Sequence, residues 1–321
     1  MSAYVSGFAG LVDRFVSYRK AAGVWNEGCY GLNIKLFDRW CAEAHGPGAA
    51  LSQEMVDGWC ARRATETNRS CGTRAYVVKA FVEYLRARGL TDVDPPRIPK
   101  PEPRTYVPYA FGEGELARFF EACDSIVAYK GARPHVIRKL TLPVFFRLLY
   151  STGLRTTEAR LLGRDDVDLA HGVISVRESK GHDQHFVAMH ESMAGLMSRY
   201  DSAIDGLQPS RRYFFQSPLT GSCYDQSWVG RNFRVLWRRA NGCEGPRPVP
   251  YELRHNYATA NINSWAGRGL DALDGLAYLS KSMGHRHVES TLGYYSVVPG
   301  LAGTLREKSS AAFDEIVPEV G

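Results

Sequence analysis

The chain lacks the patterns that would place it in several common classes. Its seven cysteines (Cys29, Cys41, Cys60, Cys71, Cys123, Cys223 and Cys243) are odd in number and include no C-x-x-C pair, so neither a disulfide framework nor a zinc ribbon is expected, and they read as reduced, mostly packing residues. The nine histidines contain no H-E-x-x-H, and no G-x-x-x-x-G-K-[ST] loop occurs, so neither a zinc-protease nor a phosphate-loop nucleotide site is expected, and no cofactor. No stretch approaches the roughly 18 apolar residues that a membrane span needs. Residues Met1 to Gly23 show no basic-then-apolar leader, and the expectation is a cytoplasmic protein without a membrane partner. Charge of one sign is barely in excess, 40 Lys+Arg against 34 Asp+Glu over 321 residues. That net +6 is weak evidence for a polyanionic partner.

What is present is an ordinary globular composition, 44% hydrophobic and 23% charged, long enough for two domains. Proline divides it. Pro95, Pro96, Pro99, Pro101, Pro103 and Pro108 place six of the sixteen prolines within fourteen residues. Proline has no amide donor and disfavours helix in the residue before it, so 95–108 reads as an extended, stiff linker between domains 1–94 and 109–321.

Upstream, helical patterns cover Phe8–Ala21, Tyr30–Ala44, Ser52–Thr65 and Arg74–Arg88. In the last, Tyr76, Val77, Ala80, Phe81, Tyr84 and Leu85 form one apolar stripe opposite Lys79, Glu83, Arg86 and Arg88, with Gly89 as the stop. Residues 1–104 hold 15 basic and 11 acidic side chains, compatible with a solvated bundle or with a DNA-binding face. Downstream, helices are expected at Glu113–Ala122, Pro134–Ser151, from Thr156, and at Ser192–Ile204, Gln226–Ala240, Leu253–Ser264 and Leu273–Met283. Between them, 172–177 and 185–188 read as two short strands around a polar turn. The fold class is therefore mainly α with a small antiparallel sheet.

Four separated clusters set a cation, an imidazole or a phenol beside a glycine or a helix start. They are Gly153-Leu-Arg155-Thr-Thr-Glu158, Glu178-Ser-Lys180-Gly181, Tyr251-Glu-Leu-Arg254-His255, and Gly284-His285 followed by Thr291-Leu-Gly-Tyr294-Tyr295. Each alone has a plain structural explanation. In this order and spacing they resemble the catalytic domain of the tyrosine recombinase (phage integrase) family, which has an arginine in a T-G-L-R-x-x-E turn and a lysine on a hairpin tip. An H-x-x-R-H helix start and an L-G-H motif follow, the last nine residues before the nucleophilic tyrosine. Here Thr152-Gly153-Leu154-Arg155 with Glu158, Lys180, Leu253-Arg254-His255 with Tyr257-Ala258-Thr259, and Met283-Gly284-His285 with Tyr294 nine residues on carry the likeness over roughly 145–300. For 1–94 it rests on position, size and helical character. The chain departs from the pattern at Tyr251, where the family has histidine; a phenol, with an ordinary pKa near 10, is the poorer base at neutral pH.

The resemblance implies two domains, a helical SAM-like core-binding bundle and an α+β integrase-like catalytic domain, clamped around double-stranded DNA. It implies site-specific recombination through a 3′-phosphotyrosyl link without metal or ATP, by a dimer on each site and a tetramer in the synapse. Tyr251 favours an integrase or transposase of a mobile element over a chromosome-dimer resolvase. Type IB topoisomerase activity and a decayed DNA-binding protein are the alternatives.

The roles follow from charge. Arg155 and Arg254 can each donate two hydrogen bonds to the non-bridging oxygens of an anionic transition state, with His285 as a third donor. Lys180 is the expected acid for the leaving 5′-oxygen, and Tyr294 the nucleophile. Tyr295 competes with Tyr294, which the spacing from His285 and the alignment of Thr291 favour. Glu158 is expected to buttress an arginine or the backbone, His255 to pack or bond near Arg254, and His287 to support the site or lie on the surface. Arg231, Arg234, Arg238 and Arg239 suit either phosphate contacts or an exposed charged helix. The apolar residues Leu301, Leu305, Phe313, Ile316 and Val317 suit a tail docked on its own domain or on a neighbour. No arm-binding domain is expected ahead of Phe8, and hence no binding of distant arm sites.

Overall fold

The computed structural model describes residues 3–103, 108–177, 184–265, 272–285 and 291. The chain divides into two compact units, Met1–Tyr106 and Val107–Gly321.

The first unit is built from α1 (Ala9–Ala21), α2 (Leu32–His45), α3 (Gln53–Cys60) and α4 (Asn68–Arg86). Their shared core holds Phe8, Phe15, Phe37, Trp59, Phe81 and Leu85. Helix α4 starts six residues before the expected Arg74, because Thr67 caps it by accepting from the Ser70 amide at 3.1 Å. Its inner face centres on Val78, Phe81, Val82 and Leu85, while Tyr76 of the expected stripe is exposed. Helix α3 ends at Cys60 rather than Thr65. The buried Arg74 guanidinium supplies the reason, donating to the Trp59 and Ala61 carbonyls that would otherwise end the helix unpaired. Glu66 neutralises it at 2.7 Å.

Residues 95–103 form neither helix nor strand. Ile98 packs against the core of the first unit, and Asn68 bonds to the Lys100 carbonyl and the Glu102 carboxylate.

The second unit contains α5 (Glu115–Asp124), α6 (Arg133–Thr152), α7 (Thr156–Leu161), β1 (Val167–Asp168), β2 (Val173–Val176) and β3 (His185–Ala188). It continues through α8 (Glu191–Asp205), α9 (Gln226–Asn241), α10 (Tyr251–Trp265) and α11 (Ala272–Ser282). The three strands form one antiparallel sheet in the order β1-β2-β3, with Val167 opposite Ile174 and Val176 opposite His185. Strand β1 was not expected; two residues are too short for an alternating pattern to register. The main core gathers Phe119, Phe145, Phe146, Phe214, Phe215 and Phe233. A smaller core of Ala258, Ile262, Leu279 and Met283 joins α10 to α11. Among the described residues, no helix is long and apolar enough to cross a membrane.

Candidate active site

Two left-handed glycines shape the site. Helix α6 stops at Gly153, whose φ of +66° ends the helix as a side chain would not readily allow. Leu154 then drops into the core and Arg155 becomes the N-cap of α7. One turn on, the Glu158 carboxylate reaches back to accept from the Arg155 amide at 2.8 Å and from its guanidinium at 2.5 Å. Helix α11 ends in the same way at Gly284, φ +61°, and His285 follows directly.

Helix α10 brings in the second arginine. Arg254 is almost wholly buried, with 1% of its side chain exposed, so its charge must be met inside the protein. Its terminal nitrogens donate to the Gly153 carbonyl at 2.5 Å and to the Met283 carbonyl at 2.7 Å. The second of them also lies 2.9 Å from His285 Nε2, and Glu158 stands 4.0 Å from the first. Arg155 reaches the same turn from the other side, donating to the Gly284 carbonyl at 3.2 Å. Met283, Gly284 and His285 thus each contact one of the two guanidiniums. On the far side of the imidazole, His285 Nδ1 lies 2.8 Å from the hydroxyl of the buried Thr291.

Residues far apart in sequence, Arg155, Glu158, Arg254 and His285, therefore form one cluster. Two guanidiniums face one carboxylate among the described residues, leaving the cluster net positive and rich in N–H donors. That arrangement suits a tetrahedral oxyanion such as a phosphodiester.

Tyr251 opens α10, one turn before Arg254, and is half-exposed. Its ring meets that of His255 edge-on, centroids 4.9 Å apart. Burial, reinforced by the neighbouring Arg254 charge, lowers the His255 pKa to about 4, so this imidazole is neutral at physiological pH. Lys180, His287, Tyr294, Tyr295 and the tail from Leu301 to Val317 lie outside the described residues. Arg231, Arg234, Arg238 and Arg239 are all exposed on α9, opposite the buried Phe233 and Trp237, and Arg231 pairs with Asp225 at 3.1 Å.

Residues 112–299 match the phage integrase family. The chain belongs to that family. Its function is accordingly site-specific DNA recombination of the tyrosine recombinase kind. The Sinorhizobium fredii (strain NBRC 101917 / NGR234) protein y4rE, described as an integrase/recombinase, is 26% identical over 92% of this chain and 93% of its own length. The tyrosine recombinase XerA of Thermococcus kodakarensis (strain ATCC BAA-918 / JCM 12380 / KOD1) is 28% identical over 74% of this chain and 73% of that protein. Among solved structures, the Tn1549 transposon integrase in complex with transposon right end DNA shares the fold. Its TM-score is 0.63 at 14% identity, covering 94% of this chain and 98% of that one. XerH recombinase bound to difH substrate in a pre-cleavage complex gives 0.63 at 15% identity, over 90% and 82%.

Sequence reasoning did not single out the carbonyls of Gly153, Met283 and Gly284 as acceptors for the arginines. A backbone acceptor has no residue signature; only the left-handed glycine on each turn hints that the main chain is being aimed there.

Proposed function

We propose that this family member cleaves and rejoins double-stranded DNA through a covalent 3′-phosphotyrosyl intermediate, with Tyr294 as nucleophile. The phenol oxygen attacks the scissile phosphorus and gives up its proton to solvent water. The bond from phosphorus to the 5′-oxygen breaks, and Lys180 gives the departing oxygen its proton. One phosphoester replaces another, so the bond energy is conserved and rejoining needs no ATP. Arg155, Arg254 and His285 hold the non-bridging oxygens, supplying the positive charge that a metal ion would otherwise provide. Tyr251 offers its hydroxyl to the same phosphate where the family pattern has imidazole.

The observation that carries this reading is the convergence of Arg155, Arg254 and His285 on the turn 283–285. The first unit and the exposed arginines of α9 are assigned to the DNA backbone, the working form to a dimer on each site and a tetramer in the synapse. The service is assigned to a mobile element; the likeness in fold to a transposon integrase is consistent with it.

The test is a nicked suicide duplex, which traps the covalent adduct. The wild-type chain is expected to form an adduct stable to denaturation, and Tyr294→Phe to form none while still binding DNA. Adduct in Tyr294→Phe, lost only in Tyr295→Phe, would move the nucleophile by one residue.

A further inference from the structure

We infer that His185, on the sheet, is a positioning residue that acts through His285. The inference rests on the active-site reading above.

Strand alternation sends His185 and Val187 inward and Phe186 outward. Val187 is wholly buried and Phe186 is 71% exposed. Burial alone would choose the reverse, since a phenyl ring gains far more than an imidazole by leaving water. The inward imidazole lies directly against Gly284. A β-carbon placed on that glycine would sit 2.5 Å from His185 Cε1 and 2.7 Å from its Nδ1, closer than any real contact. Helix α11 and β3 pack together here, and His185 pairs with Val176 at the end of the ladder nearest the 177–184 connection.

Gly284 is the centre of the catalytic turn. Its carbonyl accepts from Arg155, the Met283 carbonyl before it accepts from Arg254, and the His285 ring after it touches Arg254. A planar ring seated on the Gly284 α-carbon limits how far this turn can move toward the sheet. His185 thereby sets the height at which His285 meets Arg254. It also ties that turn to the strand that carries the Lys180 connection.

The experiment measures single-turnover adduct formation at saturating suicide DNA for His185→Ala, His185→Gln, His285→Ala and the double variant, with DNA affinity and melting temperature alongside. His185→Ala is expected to slow cleavage about 10- to 100-fold, the cost of a misplacement of about an ångström. DNA affinity and melting temperature should change little, and His185→Gln, which keeps a planar polar end, should recover most of the rate. Adding His185→Ala to His285→Ala should cost nothing further. Full multiplication of the two losses, a wild-type rate in His185→Ala, or a loss confined to affinity or melting temperature overturns the inference. In each of those cases His285→Ala alone remains slow, and the active-site reading stands. A wild-type rate in His285→Ala overturns that reading, and this inference with it.

Discussion

The Arg254 guanidinium and the His285 imidazole are in direct contact, Nη2 to Nε2 at 2.9 Å. An arginine nitrogen is always a donor, so a neutral His285 accepts at Nε2 and carries its proton on Nδ1, where it donates to the Thr291 hydroxyl. In this arrangement the two side chains satisfy each other.

Arg254 makes three polar contacts from one rigid fork, and lysine, with a single nitrogen, cannot span them. Arg254→Lys is therefore expected to lose about 100- to 1,000-fold in single-turnover cleavage, the usual consequence of removing one transition-state donor. Quench-flow on a suicide duplex measures it, and a loss below tenfold would contradict the role.

Glu158 is the buried counter-charge for both arginines, 2% exposed and 2.5 Å from Arg155. Glu158→Ala strands these cations and is expected to destabilise the second unit by about 3–5 kcal/mol, as breaking a buried pair does. Glu158→Gln, which keeps an acceptor for the Arg155 amide, should cost less. Urea unfolding followed by tryptophan fluorescence ranks the two, and equal midpoints would deny the electrostatic role.

Gly153 has a positive φ, and a β-carbon there would collide with the Tyr257 ring. Gly153→Ala should lose stability and cleavage together, because the same turn presents the Arg155 N-cap and the carbonyl that Arg254 binds. Adding Tyr257→Ala removes the collision but not the backbone strain of about 1–2 kcal/mol. Partial recovery of the melting temperature is the expected result, and complete recovery would show that the left-handed backbone is not required.

His255 carries a pH signature. Its pKa is about 4 in the folded chain against 6.5 ordinarily, so between those values the unfolded chain binds the extra proton. Stability of the second unit should fall as pH drops from about 6.5 toward 4, with no contribution from this group above 6.5. In the first unit, Arg74 holds the Glu66 carboxylate at about 2, so its loss of stability comes at lower pH, between about 4.5 and 2. His255→Gln should flatten the melting-temperature profile between pH 6.5 and 4; an unchanged slope would assign it elsewhere.

Binding to DNA should weaken steeply with salt, since each neutralised phosphate releases counter-ions. If Arg234, Arg238 and Arg239 touch the backbone, each alanine variant should lower the log–log salt slope by about 1 without altering site preference. Titrations between 50 and 200 mM salt, on the order of the range where the effect is large, read this directly. Unchanged slopes in all three would take α9 off the DNA.

Much was legible in the chain itself. Period-2 and period-3.6 patterns gave most elements of the second unit, because one-sided burial imposes them locally, and the TGLR, LRH and GH motifs marked the cluster before any fold was known. Boundaries decided by a distant group were not legible: α3 stops where Arg74, fourteen residues beyond Cys60, caps its carbonyls. Nor were the partners of Arg254, which are main-chain carbonyls 101 and 29 residues away. The sequence by itself determined which side chains carry the charge and the donors. Only the tertiary structure decided that Gly153 turns its carbonyl toward Arg254 and Gly284 toward Arg155, and that an inward histidine on β3 sits beneath the Gly284 turn. The physical reason is that side-chain chemistry is local to a residue, whereas a buried guanidinium is satisfied only by whatever backbone the completed fold brings to it.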